Sequence, residues 1–150
     1  MKNIINKAGK LYFYILAIVL FNFFGCLGSI SYYDSKSFEN FVNLKAFHLK
    51  FIDDFTYSEN KQWDESKLLQ KCDSGDLKFR EALEYENEKL KKDINRKKAI
   101  KILYEQFIDD CDTLKKQAKF FSVEVSSDLR KEISDNYTYA IKGETGRLKE

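Results

Sequence analysis

Three cysteines, one histidine and a short basic run are the side chains of this 150-residue chain whose types and spacing invite chemistry. Cys72 and Cys111 stand 39 residues apart. Oxidised, they would close a loop worth about 4 kcal/mol in chain entropy. Reduced, each falls near an apolar helical face, where a thiol packs as a small buried hydrophobe. The spacing suits both states. His48 is the single histidine, and no HExxH, CxxC, GxSxG or glycine-rich phosphate loop accompanies it. Making His48 the base for Cys72 or Cys111 requires tertiary structure to join them, so the expectation is a surface or internally bonded histidine and no catalytic residue. Asp109, Asp110 and Asp112 crowd around Cys111 but lack the glycine turn and twelve-residue pattern of a calcium loop. They read as a solvated helix face, and neither a metal site nor a cofactor is expected.

The basic run is Lys89, Lys91, Lys92, Arg96, Lys97, Lys98 and Lys101, seven cations with one acid in thirteen residues (KLKKDINRKKAIK). Such a cluster attracts sulfated glycosaminoglycan, anionic lipid or an acidic protein patch. It equally suits a solvated helix, because Glu81, Glu84, Glu86 and Glu88 precede it and acid-first order complements the helix dipole. Glu88 and Lys92 would add an i,i+4 pair. The whole chain carries 26 basic and 24 acidic side chains, a net +2 that argues against a general nucleic-acid binder. A content of 43% hydrophobic and 15% aromatic residues argues against a wholly disordered chain.

The charge is unevenly placed. Lys2, Lys7 and Lys10 are the only charges before residue 26, so the other 125 residues hold 23 basic and 24 acidic groups. After that basic start, Leu11 to Gly25 (LYFYILAIVLFNFFG) are fifteen residues of which thirteen are hydrophobic. This is the order of a secretory signal. A fifteen-residue helix spans roughly 22 Å, short of a hydrocarbon core of about 30 Å. Gly25 directly precedes Cys26, which is what bacterial lipoprotein processing requires. The thiol takes a diacylglyceryl group, the chain is cut before the cysteine, and the freed amine is acylated. An uncleaved signal anchor reaching Ile30 is the alternative, at the cost of Asn22, Gly25 and Gly28 inside the span. Either way the body is exported and tethered to the membrane by its N-terminus. The division is then 1–25 signal peptide, 26–34 lipidated Cys26 and tether, and 35–150 a single helical domain.

Phe23-Phe24-Gly25-Cys26 resembles a lipobox, with Gly25 and Cys26 matching and two phenylalanines in place of the usual leucine and small residue. The Lys/Asn/Ile leader, 22 lysines against 4 arginines and the absence of proline look like the small, often plasmid-encoded surface lipoproteins of Borrelia-type spirochaetes. The resemblance covers the leader and the composition, and no motif in residues 27–150 carries it. It implies an outer-membrane or cell-surface location, a helical fold and a binding role toward a host or vector, a host protein or glycosaminoglycan being the partner in view. A periplasm-facing structural or accessory lipoprotein is the rival reading.

The elements that must position these residues are helical by default. From Ser35 onward there is no proline and only Gly75, Gly143 and Gly146 interrupt, too few breakers for the turns of an all-β fold. A first helix is expected from about Lys36 to Phe55, capped by Ser35, with Phe38, Phe41, Val42, Leu44, Phe47, Phe51, Ile52 and Phe55 as its apolar face. A second follows Ser58 and stops at Gly75. A third opens after Asp76 and runs unbroken to Ala118, through Phe79, Leu83, Leu90, Ile94, Leu103 and Phe107. Residues 119–142 suit a helix, through Phe121, Val125, Leu129, Ile133, Tyr137 and Ile141. They also suit a hairpin, through the alternation in Phe121–Val125 and Tyr137–Ile141. The fold class expected is mainly α, a small helical bundle with or without a short C-terminal β-hairpin.

Overall fold

The structure, a computed structural model, describes residues 32–59, 62–90 and 92–149. The leader, Cys26 with the residues that follow it to Ser31, and Lys91 lie outside the described residues. Four helices account for most of the rest: α1 Ser35–Phe55, α2 Glu65–Glu88, α3 Ile94–Gln117 and α4 Val123–Gly146. Single 3₁₀ turns follow α3 (Ala118–Phe120) and α4 (Arg147–Lys149). The protein is a helical bundle, and among the described residues there is no strand. Residues 123–146 are helical because the every-fourth-residue set wins: Ile133 and Tyr137 are completely buried, whereas Val123 and Tyr139 of the alternating set face solvent.

Four boundaries differ from the sequence expectation, each for a physical reason. The second helix begins at Glu65 and not after Ser58, because the Asp64 carboxylate caps it by accepting the Lys67 N–H at 2.9 Å. Asp34, not Ser35, caps α1, its carboxylate accepting the Ser37 N–H at 2.8 Å. Gly75 does not stop α2, which continues to Glu88; it is buried against the Phe107 ring, and a Cβ there would overlap that ring. The long third helix is broken in two by the connection between Glu88 and Ile94. Asp93 accepts the N–H groups of Asn95 and Arg96 at 2.9 and 3.0 Å and starts α3 afresh. Folding back at this point lets Phe79 of α2 stack on Tyr104 of α3, with centroids 5.2 Å apart, where a single straight helix would separate them. Leu90, in the connection, and Ile94, the first residue of α3, are exposed and not part of the core.

The helices run up, down, up and down, with α1 lying chiefly along α4 and α2 along α3. Phe107 is the hub of the core, its ring 5.2 Å from Phe51, 5.4 Å from Phe79, 5.9 Å from Phe47 and 5.1 Å from His48. One end of the bundle, here the proximal end, gathers the residues entering α1, the α2–α3 connection and the end of α4. The other, distal end gathers the α1–α2 and α3–α4 connections. It is tied by the Tyr57 N–H on the Phe121 carbonyl at 2.9 Å and by the Thr56 and Ser126 hydroxyls 2.6 Å apart. Ala118, at the α3–α4 turn, has φ 48° and ψ −129°, a backbone that glycine adopts more readily than alanine.

Candidate functional site

The residue types that invite chemistry are distributed over three places. Cys72 of α2 and Cys111 of α3 are joined as a disulfide, with Cα atoms 6.1 Å apart and both residues buried. The joined pair spans α2 and α3, so it crosses the hairpin that the α2–α3 connection forms.

His48, 0% exposed, lies in the middle of the core. Its Nε2 lies 2.9 Å from Asp110 Oδ2, and its Nδ1 lies 3.5 Å from the Tyr137 hydroxyl. An ionised carboxylate only accepts, so Nε2–H donates to Asp110, while Nδ1 faces the Tyr137 hydroxyl. Burial raises the Tyr137 pKa and the Asp110 charge raises it further, so this hydroxyl stays protonated and able to donate. Asp110 is therefore not part of a solvated face. At 4% exposed it lies on the same inward stripe as Leu103, Phe107, Cys111 and Leu114, while Asp109 and Asp112 do face water. The Tyr–His–Asp chain has the order of a catalytic relay, but it is sealed by Phe51 and Phe107 and joins α1, α3 and α4. Among the described residues, no three His, Cys, Asp or Glu side chains converge into a metal-holding group.

The basic run is divided by the fold. It does not form one helix face, because α2 ends before Lys89 and α3 begins after Asp93. The Glu88–Lys92 pair expected within a helix spans this break instead. Lys89 and Arg96 turn inward and build an ionic network at the proximal end. Lys89 Nζ donates to Ser37 Oγ at 2.6 Å and to Glu86 at 2.8 Å, and lies 3.1 Å from Asp34. Ser37 Oγ–H donates in turn to Glu86. Arg96 clasps Glu144 with two bonds of 2.6 and 2.8 Å and donates to the Tyr32 carbonyl at 2.6 Å. Arg147 completes the network, 2.8 Å from Asp93 and 2.6 Å from Glu144. Burial works against the Arg96 charge, but the Glu144 bonds and the charges of Glu144, Asp93 and Glu86 raise its pKa. Burial would also raise the Asp34 pKa. The Ser37 N–H and the Lys89 ammonium, with the Tyr85 hydroxyl, outweigh it and hold Asp34 at about 2.

The other described cations of the run point outward. Lys92, Lys98 and Lys101 are exposed and Lys97 half-buried, and no carboxylate lies within ion-pair distance of any of them among the described residues. Beside them stand Leu90, 104% exposed, and Ile94, 80% exposed.

Sequence reasoning did not single out Asp34, Glu86, Glu144 or Arg147. The i,i+3 pairs Glu86–Lys89 and Glu144–Arg147 are visible in the sequence, but their convergence with Arg96 and Tyr32 depends on three separate elements meeting at one end. The surface also carries a groove and a cleft. A groove of about 390 Å³ runs between α3 and α4, floored by Phe41 and walled by Ala99, Ile102, Leu103, Tyr139 and Ala140. At the distal end a cleft forms among Phe55, Tyr57, Trp63, Lys67 and Lys119. Phe120, 77% exposed, lines an adjoining hollow with Tyr57, Lys119 and Ser122. Compared with protein-family models, with curated proteins and with solved structures, the chain matches none.

Proposed function

We propose that this chain is a lipid-anchored envelope protein that acts by binding, displayed at the cell surface and held to the membrane through Cys26. Its partner is a host or vector protein, taken at the distal end of the bundle. The observation that carries the reading is the aromatic character of that end: exposed Tyr57 lines a cleft with Phe55, Trp63, Lys67 and Lys119, and shares with Lys119 an adjoining hollow lined by exposed Phe120. Aromatic side chains supply large contact area at low entropic cost and dominate binding hot spots. The residues suited to catalysis are committed elsewhere: His48 is sealed inside its network, and Cys72 and Cys111 are bonded to each other. Gly25-Cys26 after the apolar run supports the anchor, because two or more acyl chains hold a protein stably to a bilayer where one does not.

The test has two arms. Metabolic labelling with a radioactive fatty acid should mark the parent protein and not Cys26→Ser; label retained by that variant removes the anchor. Protease added to intact cells should digest the protein, and the double variant Tyr57→Ala, Phe120→Ala should reduce adhesion of expressing cells to host cells at least tenfold. Digestion only after permeabilisation would instead favour the periplasm-facing role.

A further inference from the structure

Leu90 and Ile94 are the two most exposed large hydrophobic side chains of the described residues, and they stand four positions apart at the same end of the bundle. Nothing in the bundle covers them, although Phe79, Leu103 and Phe107 on the flanking helices are completely or almost completely buried. From Ile94 the unpaired lysines follow at helical spacing. Ile94, Lys97, Lys98 and Lys101 lie at i, i+3, i+4 and i+7 and so share one face of α3, with Lys92 just before it. Lys89 and Arg96 turn inward and leave that face to the lysines.

The position of this face relative to the chain's entry decides what it meets. Arg96 holds the Tyr32 carbonyl and Lys89 lies against Asp34, so the chain comes into the domain directly beside the α2–α3 connection. Cys26 is six residues before Tyr32, a reach of roughly 20 Å at about 3.5 Å per residue. The distal end lies a further 30 Å or so away, the length of the 21-residue α1. A lipid on Cys26 therefore keeps the proximal end within about 20 Å of the bilayer in every orientation of the domain.

We infer that the proximal end is a membrane-contacting face. Leu90 and Ile94 enter the interfacial layer of the bilayer, and Lys92, Lys97, Lys98 and Lys101 sit on anionic lipid headgroups. The inference rests on the lipid anchor proposed above. The occupant is an anionic lipid surface because the face combines protruding apolar side chains with unpaired cations, the pairing used by proteins that lie on such surfaces. Each lysine near a negatively charged leaflet adds roughly fivefold to partitioning. Because the body outside the leader holds 23 basic and 24 acidic groups, this attraction is local to the face. The consequence is an orientation: the basic residues are turned toward the protein's own membrane, and the aromatic distal end is held away from it.

The chain's single tryptophan, Trp63, lies in the α1–α2 connection at the distal end and serves as the internal reference. The processed full-length protein and its Leu90→Trp variant are reconstituted into vesicles of phosphatidylcholine and phosphatidylglycerol (3:1) containing brominated lipid. The variant substitutes a side chain that touches nothing, so its fold is preserved. The fluorescence added by Leu90→Trp should be quenched at least twofold, while Trp63 in the parent protein is not quenched. Combining the variant with Lys92→Glu, Lys97→Glu, Lys98→Glu and Lys101→Glu should abolish the quenching. Fluorescence at position 90 no more quenched than Trp63 overturns the inference, and quenching that survives charge reversal overturns the role of the lysines. Mass spectrometry of the same preparation reads the acyl groups on Cys26. Their absence removes the anchor reading alone, since a protein held by an uncleaved leader gives the same quenching result for or against the face.

Discussion

Gly75 illustrates how a single position can mislead when read locally. A glycine after a short apolar stretch reads as a helix stop, yet here it is the place where Phe107 of the neighbouring helix lies directly on the α2 backbone. Gly75→Ala gains about 1 kcal/mol in helix propensity but overpacks the hub of the core, at a cost of roughly 1–3 kcal/mol. The net expectation is destabilisation of about 1 kcal/mol, read as a lower urea midpoint, with Phe107→Leu in the same background restoring much of the loss. Asp34 offers a second residue-level test. Its pKa lies near 2 in the fold against an ordinary 3.8, so its contribution to stability is complete above about pH 4 and is lost as pH falls toward 2. Solvent reaches part of this carboxylate, so the contribution is on the order of 1 kcal/mol. Asn caps a helix as well as Asp does, so Asp34→Asn isolates the charge. The variant should be less stable than the parent at pH 7, with the gap shrinking as pH falls through 2 and closing below it, as followed by circular dichroism under denaturant. Both tests rest on partners far along the chain: Phe107 for Gly75, Lys89 for Asp34. That distance is why neither role was legible in the sequence, whereas the burial of Phe41, Phe51 and Phe107 was.

At the level of elements, the α2–α3 hairpin is closed twice. Its connection closes the proximal end, and the Cys72–Cys111 disulfide clips it sixteen residues before the end of α2 and seventeen after the start of α3. The near-equality of those two spans is the register of an antiparallel pair. Reducing the disulfide should lower stability by about 4 kcal/mol on the chain-entropy model. For a domain of this size that is on the order of 15 °C in melting temperature, measurable by calorimetry with and without reductant. The helical class followed from the scarcity of breakers, and α1 was legible almost to the residue. The break at Lys89–Asp93 was not. The charge order across it satisfies a continuous helix as well as two separate ones, and only the burial of Phe79 against Tyr104 separates the cases. The α4 segment was ambiguous for the opposite reason: two periodicities overlap, and burial of Ile133 and Tyr137 selects one.

For the molecule as a whole, a net charge near zero conceals two ends of different character. The proximal end concentrates Asp34, Glu86, Asp93 and Glu144 with Lys89, Arg96 and Arg147, while the distal end is aromatic. The sequence marks the basic run but cannot divide it into internal and external members, because that division depends on where the chain turns. The α1–α4 contact and the entry clamp also set how the domain would carry a load. Tension between the residues before Tyr32 and a partner held at the distal end runs along the α1 axis; it first meets the Arg96 and Lys89 bonds, then shears α1 along its length against α4. Should α1 be drawn away, the disulfide still withholds the loop closed by Cys72 and Cys111, 39 positions apart, roughly 130 Å of contour that a pulled molecule could not pay out. In mechanical terms the fold is a short shear joint backed by a closed loop that does not extend.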